Sequence, residues 1–216
     1  RQIEVELVLR VGDLVERHHA RVARGIDLPG EGIDDAVDVL LAQAVLVAVL
    51  DEALRRIDHE HAALAAGAEV TVTSGSDEKL EKARTIGAHH TANYREEGWD
   101  KRLKKSVGAF DVIIDSAAGD AFSLLVGLAS PGARIGIYGG TLGKVGGLSL
   151  QPVFWKQISI LGSTMGSPQE FGKMLKFVGQ HRIIPIVDSV FDLKDGNAGL
   201  ERMDKGEQFG KIVFRV

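Results

Sequence analysis

Immediately after Gly67 the chain reads AEVTVTSGSDEKLEKARTIGAHHTANYREE, and this stretch limits the possible folds more sharply than any other. Val70 and Val72, with the short residues around them, form an apolar run that stops at Thr73-Ser74-Gly75-Ser76. Such a run suits a strand buried on both faces, the condition of a parallel sheet. The glycine-bearing corner then opens a helix. Ser76 can serve as its N-cap, and Asp77 and Glu78 fall in its first turn, where carboxylates complement the helix dipole. Gly87 can close that helix, and His89–Asn93 reads as a second strand.

The alternation continues. Glu96–Val107 is a charged helix, Phe110–Asp115 a buried strand, and Ala121–Leu128 an apolar helix closed by Ser130-Pro131-Gly132. Arg134–Tyr138 is a further strand that delivers the loop GGTLGKVGG. Ile158–Ser163 is another, and a helix follows from Pro168 to Val178. Strands separated by single helices imply right-handed crossovers. The expected fold is therefore α/β: a Rossmann-like, doubly wound parallel sheet with helices on both faces.

Residues 1–66 do not continue that pattern and read as an atypical strand-helix segment before the domain 67–216. Ile3–Leu9 alternates apolar and acidic residues, as a half-exposed strand does. Leu14–Ala23 is helical and basic, and LPGEG is a turn. Ile33 to Ala66 has two readings. It is one long helix, which its alanines and leucines favour, or Val45–Leu50 is a strand followed by the helix Glu52–Ala66.

Composition excludes several function classes. The 216 residues contain no cysteine, so disulfides, thiolate zinc sites and a cysteine nucleophile are out of reach. A net charge of −4 with both signs interspersed gives no electrostatic case for nucleic acid or an anionic membrane. The longest apolar run, Ala36 to Leu50, is interrupted by Asp38 and Gln43 and is too short to span a bilayer. The first ten residues lack the features of a signal peptide. The default expectation is a cytoplasmic protein. The histidine pairs at 18/19, 59/61 and 89/90 each point to different faces, so no metal site is expected.

The corner at Ser74-Gly75-Ser76 carries the sharpest functional reading. In dinucleotide-binding folds the adenosine ribose is read there. A carboxylate holds a free 2′-hydroxyl, whereas small hydroxyls with a nearby cation admit a 2′-phosphate. Here the strand ends in hydroxyls and Lys79 lies one turn on, which points to NADP(H) rather than NAD(H).

Five stretches in order, GAEVTVTSGSDEKLEKARTIGAHHTANY, FDVIIDSAAGD, GARIGIYGG, ISILGSTMGSP and GEQFGKIVFRV, resemble the nucleotide-binding half of the medium-chain dehydrogenase/reductase superfamily. The branch they most resemble is the NADPH-dependent quinone-oxidoreductase-like one, often labelled zinc-type alcohol dehydrogenases. The resemblance covers residues 68–216. It implies hydride transfer to a carbonyl, quinone or activated alkene of a small-molecule substrate. Ser74, Ser76, Lys79 and Tyr94 match the surroundings of the adenosine 2′-phosphate. Ser116 begins the loop passing the adenine and ribose. Gly139, Gly140 and Thr141 fall beside the nicotinamide ribose, and Gly162 and Ser163 beside the nicotinamide. Lys211, in a terminal motif with Phe209 and Gly210, matches a residue near the nicotinamide end. The edge Ile158–Ser163 is where many members of the family dimerise, so a homodimer is expected there.

Two departures accompany the matches. No glycine lies between Gly32 and Gly67, so the family's phosphate loop is replaced by DEALRRIDHEHAALAAG, with Asp51 and Glu52 where a pyrophosphate would sit. Residues 1–66 also do not match the family's substrate domain, so the return segment 187–216 needs another partner. Each site residue also has a plainer reading: Ser76 as a helix cap, Lys79 as a surface lysine, Tyr94 as a half-buried ring, Asp115 as a cap of the loop after its strand. The catalytic residue stays open. The alternatives to an oxidoreductase are a non-catalytic nucleotide-binding or interaction module and an engineered chimeric scaffold.

Overall fold

The computed structural model describes residues 6–10 and 59–216, Met165 excepted. The expected helix Leu14–Ala23, the LPGEG turn, the Val45–Leu50 segment and the charges at Asp51 and Glu52 lie outside the described residues. The elements are β1 (Glu6–Arg10), α1 (His59–Ala65), β2 (Glu69–Ser74), α2 (Asp77–Thr85), β3 (His90–Asn93), α3 (Trp99–Ser106), β4 (Phe110–Asp115), α4 (Phe122–Leu128), β5 (Ala129–Ile137), α5 (Gln151–Trp155), β6 (Ser159–Gly162), α6 (Pro168–His181), β7 (Val187–Asp192), α7 (Gly196–Asp204) and β8 (Lys211–Arg215).

Six strands form one sheet in the order β3-β2-β1-β4-β5-β6, and β7 and β8 form a separate parallel pair. That order is the doubly wound arrangement with its switch point beside the central strand. The α/β fold expected from the sequence is the fold found, with one correction to its parallel sheet. Pairs β2–β3, β4–β5 and β5–β6 are parallel, but β1 runs antiparallel to both neighbours, β2 and β4. Glu6–Arg10, which contains the described part of the strand read at Ile3–Leu9, thus lies inside the sheet, bonded along both edges, rather than at the half-exposed position its pattern suggests. Its alternating pattern gives it strand character but carries no information on direction.

The residues of β4 explain why the sheet is covered on both faces. Ile113 packs with Trp99 and Leu103 of α3 and Phe122 and Leu125 of α4. Its neighbours Val112 and Ile114 point the other way and pack with Ala63 of α1 and Leu80 and Ala83 of α2. Successive side chains of one buried strand therefore feed two separate cores. The C-terminal turn of α4 is closed by two lysines, Lys104 and Lys156, whose ammonium groups both donate to the Gly127 carbonyl (2.8 and 3.2 Å). They satisfy a carbonyl that the helix itself leaves unpaired.

β7 and β8 are paired through their backbones, and Arg202 ties α7 to them. Arg202 of α7 makes two hydrogen bonds to Asp188 of β7, at 2.7 and 3.0 Å, and the Phe209 N–H donates to the same carboxylate at 2.9 Å. The Arg202 guanidinium and that N–H hold the Asp188 carboxyl well below its ordinary 3.8. A carboxylate with a depressed folded pKa stabilises the fold above its unfolded value and loses that contribution as pH falls through the folded one. The melting temperature is therefore expected to fall on going from pH 5 to pH 3, and to fall less in Asp188→Asn. Equal falls in thermal melts of the two proteins would remove Asp188 as the cause. No helix among the described residues is long and apolar enough to cross a membrane.

Candidate functional site

In the parallel part of the sheet the strands β2, β3, β4, β5 and β6 all end on the same side, and the expected site residues gather there. Successive strand ends are cross-linked by backbone: Tyr94 N–H donates to Ser74 O (3.2 Å), Tyr138 N–H to Asp115 O (3.1 Å) and Ser163 N–H to Ile137 O (2.8 Å). Ser74, Ser76, Tyr94, Ser116, Gly139, Gly140, Thr141, Gly162 and Ser163 thereby lie along one edge, where open α/β sheets bind ligands.

At the β2 corner the local sequence dictates the geometry. Ser76 has extended backbone and its hydroxyl accepts from Lys79 N–H at 3.4 Å, so it is the N-cap of α2. Ser74 is buried, and its hydroxyl accepts from Ser76 N–H at 3.3 Å. Gly75 leaves space that two other residues occupy. A Cβ there would lie 2.7 Å from Arg95 Nε and 2.9 Å from the Tyr94 hydroxyl. The corner therefore collects two hydroxyl-bearing serines, a phenol and a guanidinium.

Lys79 is not part of that group. Its ammonium donates to the Gly206 carbonyl at 2.7 Å, and the residue is only 7% exposed. Burial pushes its pKa down, against the pull of Asp188. The terminal motif shares this location. Lys82 of α2 stands 5.8 Å above the Phe209 ring, so Phe209-Gly210-Lys211 lies against α2, the helix following the β2 corner. Lys211 opens β8, with its N–H donating to Ile186 O at 2.8 Å.

The middle of the edge is made by two interlocked loops. Asp115 is fully buried, and its carboxylate accepts from Ala117 N–H (2.9 Å) and Ala118 N–H (3.0 Å). It caps the loop after β4, as the plainer reading expects. Burial pushes its pKa up, and those two N–H groups oppose the shift. The loop after β5 closes onto it through Leu142 N–H to Ala117 O at 2.9 Å and Gly119 N–H to Gly143 O at 3.3 Å. Gly119, at φ 66, can accept this close approach because it has no side chain.

The central strand supplies what the family's phosphate loop would need least. In the antiparallel register Glu6 stands beside Thr73 and Arg10 beside Glu69. β1 therefore begins at the site edge and leaves the sheet at the opposite one. A strand that ends at the site edge and turns into a helix offers free amides to a pyrophosphate; β1 makes no such turn.

Sequence reasoning overlooked Arg95 and the role of Gly75. The signal for Arg95 was present as the residue next to Tyr94, but its fold-back over Gly75 is not a matter of spacing.

Comparison with known proteins follows the same division. A family model described as zinc-binding dehydrogenase matches residues 61–180. The zinc-type alcohol dehydrogenase-like protein YogA of Leptosphaeria maculans is 36% identical over 163 residues, covering 71% of this chain and 45% of its own length. The NADP-dependent alcohol dehydrogenase 6 of Saccharomyces cerevisiae is 32% identical over 148 residues, covering 66% of this chain and 40% of its own. A crystal structure of an NAD-dependent alcohol dehydrogenase superposes with a TM-score of 0.70 at 29% identity, covering 82% of this chain and 55% of that one. The chain spans under half the length of these two curated relatives.

The donor set decides which of the groups associated with such proteins fits here. Among the described residues no three His, Cys, Asp or Glu side chains converge on a point where a metal could sit, and the whole chain lacks cysteine. Zinc does not fit these residues. At the β2 corner a guanidinium, two serine hydroxyls and a phenol gather around Gly75, donors whose chemistry suits an anionic oxygen group.

Proposed function

Because this chain belongs to the zinc-binding dehydrogenase family, we propose that it is the nucleotide-holding part of an oxidoreductase that uses NADP(H) in exchange with a carbonyl, quinone or activated alkene. The observation that carries this reading is the β2 corner, where Ser74, Ser76, Tyr94 and Arg95 surround Gly75 with no carboxylate at the strand end. When bound, the dinucleotide supplies the hydride, and the protein supplies position and electrostatics. The role of the chain's own residues is to orient. The corner fixes the adenosine end. The loops 116–120 and 139–143, laced to each other by backbone hydrogen bonds, form a wall along the edge toward Gly162 and Ser163.

The direction of β1 favours a second reading, a nucleotide-binding module without turnover. β1 begins at the site edge and so does not itself turn into a helix there, the turn from which a pyrophosphate usually takes its amides. Titration calorimetry with NADPH and NADH separates the readings from no function at all. Binding of NADPH at least about tenfold tighter than NADH, a difference of about 1.4 kcal/mol, is the expected result. Equal or undetectable binding of both removes the proposal. Turnover with enones or quinones then divides the oxidoreductase from the silent module.

A further inference from the structure

We propose that Arg95 is the cation that selects for the 2′-phosphate of the adenosine ribose, and that Lys79 instead fastens the C-terminal segment to α2. The inference rests on the reading that the β2 corner holds the adenosine end of a nicotinamide dinucleotide.

Lys79 is committed elsewhere. Its ammonium is bonded to a carbonyl 127 positions away in sequence and lies under the surface. Turning it to a phosphate at the corner would break that bond and leave Gly206 O, in a buried residue, without its donor. Lys82, the next cation on α2, is bonded to Glu78 at 2.7 Å and stands over the Phe209 ring. Neither lysine is available without a loss elsewhere.

Arg95 is in the opposite condition. The residue is exposed, and its guanidinium has no hydrogen-bond or ion-pair partner among the described residues. Its backbone is nevertheless fixed against β2: its N–H donates to Asn93 Oδ1 at 3.0 Å, and the preceding Tyr94 N–H donates to Ser74 O. The side chain folds back so that Nε lies over Gly75, beside the Tyr94 hydroxyl. A guanidinium keeps its charge and offers parallel N–H donors that match a phosphate in a bidentate way.

Of the nearby carboxylates that would oppose an anion, two are paired with other cations and Asp77 is hydrogen-bonded, while exposed Glu97 keeps its charge in solvent. Asp77 accepts from the Asn93 side-chain amide at 2.8 Å, Glu78 is paired with Lys82, and Glu96 with Arg102. Among the described residues at the corner, Arg95 is a cation whose guanidinium is not paired with a carboxylate. Gly75 leaves room for this placement of the guanidinium. A Cβ there would lie 2.7 Å from Arg95 Nε and would displace the guanidinium from its present position.

The test is calorimetric binding of 2′,5′-ADP, 5′-AMP, NADPH and NADH to the wild type, Arg95→Gln and Lys79→Gln, with thermal melts of all three. The wild type is expected to favour the 2′-phosphorylated member of each pair. Arg95→Gln should weaken binding of 2′,5′-ADP and NADPH by about 10- to 100-fold, the usual range for a hydrogen bond to a charged group. Binding of 5′-AMP and NADH should not change, nor should its melting temperature. Lys79→Gln should melt lower yet keep the preference. A wild type without preference for the 2′-phosphate removes both this inference and the reading beneath it. A wild-type preference that survives Arg95→Gln overturns the assignment of Arg95 alone, as does a preference lost in a folded Lys79→Gln.

Discussion

Alanine at Gly139 is expected to cost about 3 kcal/mol of stability, whereas alanine at its neighbour Gly140 should stay within about 0.5 kcal/mol of the wild type. The two positions are adjacent in the loop after β5, and neither has a left-handed backbone, so any difference comes from packing. A Cβ at Gly139 would lie 2.5 Å from the carbonyl oxygen of Ser116 and 3.3 Å from its carbonyl carbon. Both sides of that contact are backbone, so neither can rotate away as a side-chain tip could. Relief requires the loops after β4 and β5 to part, and they are joined just beside the contact by Tyr138 N–H to Asp115 O. A Cβ at Gly140 meets nothing within 4 Å. With a urea slope of roughly 2–3 kcal/mol per molar, the Gly139→Ala midpoint should drop by about 1 M. Coincident unfolding curves for the two variants would mean that these loops are apart in solution, and the wall along the candidate site would go with them.

Much of the sheet was legible because burial writes directly into composition. Val70–Thr73 and Phe110–Asp115 are apolar runs that could only be strands covered on both faces, and they appear as β2 and β4 within a residue of the expected bounds. Ser76 with two acids behind it announced its helix, and the capping bond is there. The failures have local or topological causes. The charged helix expected from Glu96 begins at Trp99, because Gly98 takes a left-handed conformation at φ 67 and restarts the chain direction. Ser130-Pro131-Gly132, expected to close α4, is instead carried inside β5, where the pairing with β4 jumps from Phe110–Ala129 to Val112–Arg134. The parallel pair β7–β8 was read only as a return segment, since its partners are joined through α7 and meet only in space. The direction of β1 was invisible for the same reason. For the site, spacing placed Lys79 near Ser76 correctly, but could not show that Gly206 had claimed it.

Asp115 provides a sharper separation between charge and hydrogen bonding. Replacing it with alanine is expected to cost about 3 kcal/mol, and replacing it with asparagine about 1 kcal/mol or less. In the wild type the carboxylate is fully buried and accepts from the N–H groups of Ala117 and Ala118. Alanine leaves both N–H groups without a partner in a buried turn, at roughly 1–3 kcal/mol each. Asparagine keeps an acceptor oxygen for them and removes the charge whose burial raises the carboxyl pKa above 3.8. The sign of the pH dependence follows. A carboxyl with a raised folded pKa makes the fold less stable as pH rises from its unfolded value through its folded one. The wild type should therefore lose ground to Asp115→Asn across that interval, while the gap between the alanine and asparagine variants stays nearly constant. Urea midpoints of the three proteins at pH 4 and pH 7 measure both effects at once. If alanine unfolds at the same urea concentration as asparagine, the Ala117 and Ala118 amides have found other acceptors, and Asp115 is not what holds the loop after β4 in place.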